Sequence, residues 1–240
     1  MKSNILGVKV DAVNMDGALS KIEQYILSGR PHHVITLNAE ILYTAQDDPA
    51  LLEIINSAHL ITPDGAGIVW AAKHLGQPVP ERVTGIDLML HLMYRAEERG
   101  WRVFLYGAAP GVAEEAAAKL MEKHPELKIV GISHGYLDDE GEVKLRQEVR
   151  DAEPHVLLAA LGAPKQEYWI QEHLGALSVP VNMGVGGSFD VIAGRVRRAP
   201  LWMQRARLEW LYRLIQEPKR YKRMLNLPKF MLAVYKEGKS

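Results

Sequence analysis

Between Trp101 and Gly186 the chain alternates runs that are apolar at almost every position with stretches that are apolar only every third or fourth residue. The runs "WRVFLYG" (101–107), "KIVGIS" (128–133), "HVLLAAL" (155–161) and "VPVNMGVG" (179–186) predict strands buried on both faces. Pro110 to Lys123 predicts a helix with Val112, Ala116 and Leu120 on one side, and "DEGEVKLRQEVRDA" (139–152) predicts a second. Another opens at Pro164, a favoured first helical position. Upstream, "HHVITLN" (32–38) and "HLIT" (59–62) read as strands, with helices over 15–27, 39–46, 49–57, 65–75 and 85–99. Apolar strands separated by helices imply an α/β fold, a Rossmann-like parallel-sheet core with helices on both faces.

The pattern changes after Gly194. "LWMQRARLEWLYRLIQEPKRYKRMLNLPKFMLAVYKEG" is helical by periodicity, is interrupted at Pro218 and Pro228, and has no strand partner. Two units are therefore expected: an α/β core over residues 1–194 and a basic, amphipathic helical appendage over 195–240.

Charge sharpens that division. Lys and Arg balance Asp and Glu at 29 each, yet residues 195–240 hold 13 basic against 3 acidic side chains. A segment at +10 beside a body at −10 is built to meet something anionic: phosphate, nucleic acid, a lipid surface or the body itself. The basic residues lie on aromatic-rich helices without a nucleic-acid motif, so no nucleic-acid partner is expected. The chain has no cysteine, which excludes disulfides, thiolate nucleophiles and Cys-ligated zinc. No uncharged apolar stretch approaches the roughly 20 residues needed to span a bilayer, and residues 1–17 carry no signal-like run. A cytoplasmic or cytoplasm-facing protein is expected.

In a parallel α/β sheet, ligands bind where the carboxyl ends of the strands meet the helix N-termini. Here those ends carry Thr36 and Asn38, then Asp64 with two glycines, then Gly107 and Ala108, then Tyr136, then "GAPKQE", then Gly186, Gly187 and Asp190. Glycines let backbone N–H groups approach phosphate, so this edge suits a nucleotide. "YGAAPG" lacks the dinucleotide spacing, and no Walker lysine follows it. Asp64, between a strand end and a helix start, has two local readings: a helix N-cap, or a general base. No His pair has chelate spacing, and no Asp-x-Asp occurs. No metal is expected, and a diphosphate would be met by Arg82, Arg213, Arg220 and Arg223.

The motifs "TLNAEIL" (36–42), "TPDGAGIVWA" (62–71), "ERVTGIDLM" (81–89), "LYGAAPGVAEEA" (105–116), "GYLDDE" (135–140), "ALGAPKQEYWI" (160–170) and "MGVGGSFDVIAGRVRRAP" (183–200) together resemble the WecG/TagA/CpsF glycosyltransferases. The resemblance spans nearly the whole chain, and "LEWLYRLIQEPKRYKRML" (208–225) is most similar to the TagA members of Gram-positive bacteria. It implies an inverting, metal-independent hexosyltransferase without a cofactor. The donor would be UDP-ManNAc and the acceptor undecaprenyl-diphospho-GlcNAc, in wall teichoic acid synthesis. By matching motif, Asp64 would be the catalytic base, with Thr36, Asn38, Arg82 and Gln166 in the pocket. Arg213, Arg220 and Arg223 would close over the UDP diphosphate. Trp, Tyr and Leu interleaved with Arg and Lys suit an interfacial helix on anionic lipid, so a peripheral membrane protein that self-associates in solution is expected. Deleting 195–240 should then cost both activity and vesicle binding.

Overall fold

The computed structural model describes residues 2–206, 208–216, 221 and 225–239. An antiparallel hairpin opens the chain, β1 (Lys2–Ile5) with β2 (Val8–Asp11). The main-sheet strands are β3 (His32–Leu37), β4 (Leu60–Pro63), β5 (Arg102–Gly107), β6 (Lys128–Ser133), β7 (Val156–Ala160) and β8 (Val181–Gly184). They pair in the order β4-β3-β8-β7-β5-β6, and every pair is parallel. The Rossmann-like α/β core expected from the pattern is therefore present. The hairpin was not foreseen; its turn rests on Leu6 and Gly7, both at positive φ.

Helices α1 (Met15–Ser28), α2 (Ala39–Thr44), α3 (Pro49–Ser57), α4 (Ala66–His74) and α5 (Gly85–Arg99) fall in the first half. Then come α6 (Val112–Lys123), α7 (Asp139–Ala152), α8 (Lys165–Leu177) and the short α9 (Ser188–Ala193). Side-chain caps set several starts: Asn14 on Gly17 N–H, Asp48 on Leu51 N–H and Asp138 on Gly141 N–H.

Strand alternation assigns each buried side chain to a layer. Val103 and Leu105 of β5, with Val156 and Leu158 of β7, face α5 and α6, while Phe104, Tyr106, Leu157 and Ala159 face α7 and α8. Ile35 and Leu37 of β3 join β1, β2, α2, α3 and α4 in a third cluster. The β4 edge is closed by Asp11, whose carboxylate accepts from Ile61 N–H at 3.0 Å and from Lys21 Nζ at 2.8 Å.

Beyond Gly194 lie α10 (Leu201–Arg205), α11 (Glu209–Gln216) and α12 (Asn226–Glu237). Pro228, read from the sequence as an interruption, sits in the first turn of α12, where a missing N–H is tolerated. Pro218 lies outside the described residues. Helix α12 returns to the body: Phe230 and Val234 are buried in the third cluster, and α12 packs on α2 and α4. His74 at the end of α4 is stacked between Trp70 and Tyr235.

Near the amino end of β3, His33 is buried, and neither ring nitrogen has a hydrogen-bond partner among the described residues. Burial, with smaller influences from Gln171 and His59, lowers its pKa from 6.5 to about 3. The unfolded chain takes up this proton near 6.5 and the folded one only near 3, so stability is full above 6.5 and drains as pH falls towards 3. Thermal unfolding should show it: between pH 7 and 5 the His33→Leu variant should lose about 2 kcal/mol less stability than the wild type.

Candidate active site

At the carboxyl edge of the sheet, four helices begin without a side-chain cap: α4, α6 and α9 start on Gly65, Gly111 and Gly187, and α8 on Pro164. The positive end of each helix dipole faces this edge, although part of the first turn is already engaged in three of them: Val112 N–H donates to Ala109 O, Gln166 N–H to Gly162 O and Ser188 N–H to Val185 O. Helices α6 and α8 follow strands β5 and β7, which are neighbours in the sheet, yet pack on opposite faces. A crevice opens between such a pair.

Asp64 follows β4 directly, and its backbone N–H donates to Leu37 O at 2.8 Å. Its side chain does not cap α4, the helix that follows it. Instead Oδ2 accepts from Gly85 N–H at 3.3 Å, in the first turn of α5. The chain arrives there through Val83, whose N–H donates to Pro63 O at 3.0 Å. Thr36 lies beneath this junction: a methyl at Gly85 would meet its Oγ1 at 2.8 Å, so only glycine fits. Thr36 is thus floor, nearly buried, and Thr62 beside it is fully buried. Asn38 caps α2, accepting from Ile41 N–H at 3.0 Å; its amide nitrogen makes no hydrogen bond among the described residues.

On the other half of the edge, Gly107 at φ +120° brings β5 so close to β7 that an added methyl would strike the Ala160 backbone at 2.6 Å. Ala108 N–H then donates to Ala160 O at 2.8 Å, and Ala108 itself sits at φ +59°. Tyr136 follows β6 and is exposed. Gln166 is buried, and its Oε1 accepts from Gly186 N–H at 2.9 Å. Asp190 holds the turn after α9, its carbonyl accepting from Arg195 N–H and Val196 N–H. From β4 to β5 is four strand spacings, about 19 Å. The residues singled out in the sequence therefore line one edge in two groups. Asp64, Thr36 and Asn38 stand at β4 and β3, and Gly186, Gly187, Asp190, Gln166, Gly107, Ala108 and Tyr136 stand from β8 to β6.

Sequence reading missed an ionic chain that joins the first group to the C-terminal helices. Asp87, in the first turn of α5, takes both Nη atoms of Arg198 at 2.6 and 2.8 Å, and accepts from Thr84 Oγ1 at 2.6 Å. Arg198 Nε also reaches Glu209 Oε1 at 3.2 Å, and the other oxygen of Glu209 contacts Arg82 Nη1 at 3.4 Å. The fork of Arg198 suits this bridging. Burial would raise Asp87, but Arg198 and Thr84 hold it below the usual carboxylate range, and Arg198 is raised in turn by Asp87 and Glu209. Gln216, at the other end of α11, exchanges two hydrogen bonds with the Arg197 backbone. Arg213 lies on α11, between these two anchors. Arg220 and Arg223 lie outside the described residues.

Among the described residues, no three His, Asp or Glu side chains converge so as to hold a metal ion. No helix there is long and apolar enough to cross a membrane.

The model of the family described as "Glycosyl transferase WecG/TagA/CpsF family" matches residues 3–240. A Bacillus subtilis (strain 168) protein is 37% identical over 228 residues, covering 95% of this chain and 88% of its own. A Bacillus spizizenii (strain W23) protein is 37% identical over 216 residues, covering 90% and 83%. A Staphylococcus aureus (strain MW2) protein is 35% identical over 237 residues, covering 98% and 92%. All three carry the name N-acetylglucosaminyldiphosphoundecaprenol N-acetyl-beta-D-mannosaminyltransferase.

Removing Arg198 leaves Asp87 and Glu209 without their shared cation. The Arg198→Ala variant should lose about 2–3 kcal/mol of stability and become readily cleaved by protease between residues 195 and 225. Arg198→Lys, a point charge without the fork, should recover only part of this.

Proposed function

The chain belongs to the WecG/TagA/CpsF glycosyltransferase family, and we propose that it transfers N-acetylmannosamine from UDP-ManNAc to the GlcNAc of undecaprenyl-diphospho-GlcNAc, with inversion and without a metal ion, in wall teichoic acid synthesis. The observation that carries the reading is the place of Asp64. Its carboxylate stands at the carboxyl edge of the sheet, on the first N–H of α5, at the end of the strand that pairs with the one leading into Asn38.

In this reading the acceptor GlcNAc hydroxyl gives its proton to Asp64. Its oxygen attacks the anomeric carbon from the side opposite UDP, forming the new glycosidic bond. The bond from that carbon to the diphosphate oxygen breaks, and UDP leaves with the electron pair. One carboxylate is enough for such a displacement. Charge building on the diphosphate is met by the uncapped helix starts and by Arg82, Arg213, Arg220 and Arg223. Gly107, Ala108, Tyr136, Gly186, Gly187 and Asp190 would hold the nucleotide, with Thr36, Asn38 and Gln166 shaping the sugar end.

The lipid-linked acceptor gives the C-terminal helices a second task. Leu201 and Trp202 on α10 are 69% and 64% exposed, and Trp210, Ile215 and Leu232 are exposed on α11 and α12. We place this face on the anionic inner surface of the cell membrane, or against another copy of the chain in solution. Deleting 195–240 would be a poor test, because it also strips Phe230 and Val234 from the core. Charged substitutions on the exposed face keep the core intact: Trp202→Glu should abolish sedimentation with anionic vesicles while leaving the thermal midpoint unchanged.

The transferase reading is tested with UDP-ManNAc and a lipid-diphosphate GlcNAc acceptor. Asp64→Asn should lower kcat about a thousandfold while UDP binding and the thermal midpoint stay as in the wild type. EDTA should leave turnover unchanged. Full turnover by Asp64→Asn would remove the carboxylate from the mechanism, and activity restored only by added metal would overturn the metal-free reaction.

A further inference from the structure

Glu167 follows Gln166 in the first turn of α8 and is 2% exposed. Its Oε1 accepts from Gln166 Nε2 at 2.9 Å, while its Oε2 has no hydrogen-bond partner among the described residues. Burial pushes its pKa up. A half-satisfied acid at such a depth costs stability, and an apolar side chain of similar length would remove the unmatched acceptor, leaving one Gln166 N–H without its partner. Packing alone therefore does not account for an acid at this position.

Its neighbour does. The Gln166 amide is held at both ends, with Oε1 accepting from Gly186 N–H and Nε2 donating to Glu167. A half-turn of that amide would set N–H against N–H at Gly186 and oxygen against oxygen at Glu167. The two contacts thus select the same orientation. Gln166 itself fills the space beside Gly184, where a side chain on β8 would stand. Without Glu167, the amide keeps one hydrogen bond and gains freedom to leave the Gly186–Gly187 turn from which α9 starts.

We propose that Glu167 is a positioning residue, acting through Gln166 to hold the Gly186–Gly187 turn in the conformation that receives the uridine nucleotide. The inference rests on the transferase reading above and adds to it a residue whose role is separable from stability. A residue retained for function against stability has a recognisable signature, because its removal stabilises the fold while weakening the site.

The test uses the full chain, with UDP titrated calorimetrically and unfolding followed in parallel. Glu167→Met should unfold at the same temperature as the wild type or higher, yet bind UDP about tenfold more weakly. Glu167→Gln, whose amide oxygen still accepts from Gln166, should bind within about threefold of the wild type. Adding Glu167→Met to Gln166→Ala should weaken binding no further, because the second residue acts through the first. Wild-type affinity in Glu167→Met overturns this inference alone. So does a parallel fall in unfolding temperature and affinity, which marks a structural role. A wild-type chain that binds no UDP overturns the transferase reading and this inference with it.

Discussion

The contact between the Asp64 carboxylate and the first N–H of α5 organises the site around it. It requires the chain to run from β4 across the edge of the sheet and back into a helix at Gly85. That path is fixed by Val83 on Pro63 and by Thr36 filling the space beneath Gly85. Once α5 starts there, Asp87 follows within its first turn, capped by Thr84 and forked by Arg198. Glu209 and Arg82 then close a loop of alternating charges that returns to the segment leading into Gly85. The carboxylate read as a base, the arginine read as a phosphate contact and the C-terminal helices are thereby one connected unit.

The C-terminal segment is anchored in the body and tied to the start of α5 at once. Phe230 and Val234 of α12 are core residues, packed on the helices that begin just after Asn38 and Asp64. Helix α11 is attached by polar contacts at both ends and keeps Trp210 and Ile215 exposed. The two attachments differ in kind. Apolar burial holds α12 regardless of salt, whereas the charges that hold α11 are partly exposed and open to competition from other anions.

The edge of the sheet also shows where stability has been given up. On this edge α2 and α7 begin on the side-chain caps Asn38 and Asp138, while α4, α6 and α8 begin without one. A cap contributes about 1 kcal/mol, so several are absent in one place. Glu167 fits the same account, an acid buried with one oxygen unmatched behind the turn that Gln166 holds. Unmet hydrogen-bonding capacity concentrated on one edge is what a polar ligand completes.

Apart from the opening hairpin and β6, the sequence by itself determined the strands, their burial and the list of residues at their ends. Strand β6 reads as buried on both faces but is a half-exposed edge strand. Apolar runs such as Val156–Ala160 have no other stable place than the middle of a covered parallel sheet, and Gly or Pro after most of the runs marks the edge. The sequence could not place the Asp64 carboxylate: the local spelling points to α4, whereas the N–H it accepts from is that of Gly85, 21 residues away. Nor could it show that Pro228 begins a helix rather than ending one, since that depends on the body waiting for Phe230. The Arg198 bridge joins residues 111 apart, and the worth of Glu167 depends on a glycine turn on another strand. Periodicity reports what each segment buries, but only tertiary packing decides which distant segment it is buried against.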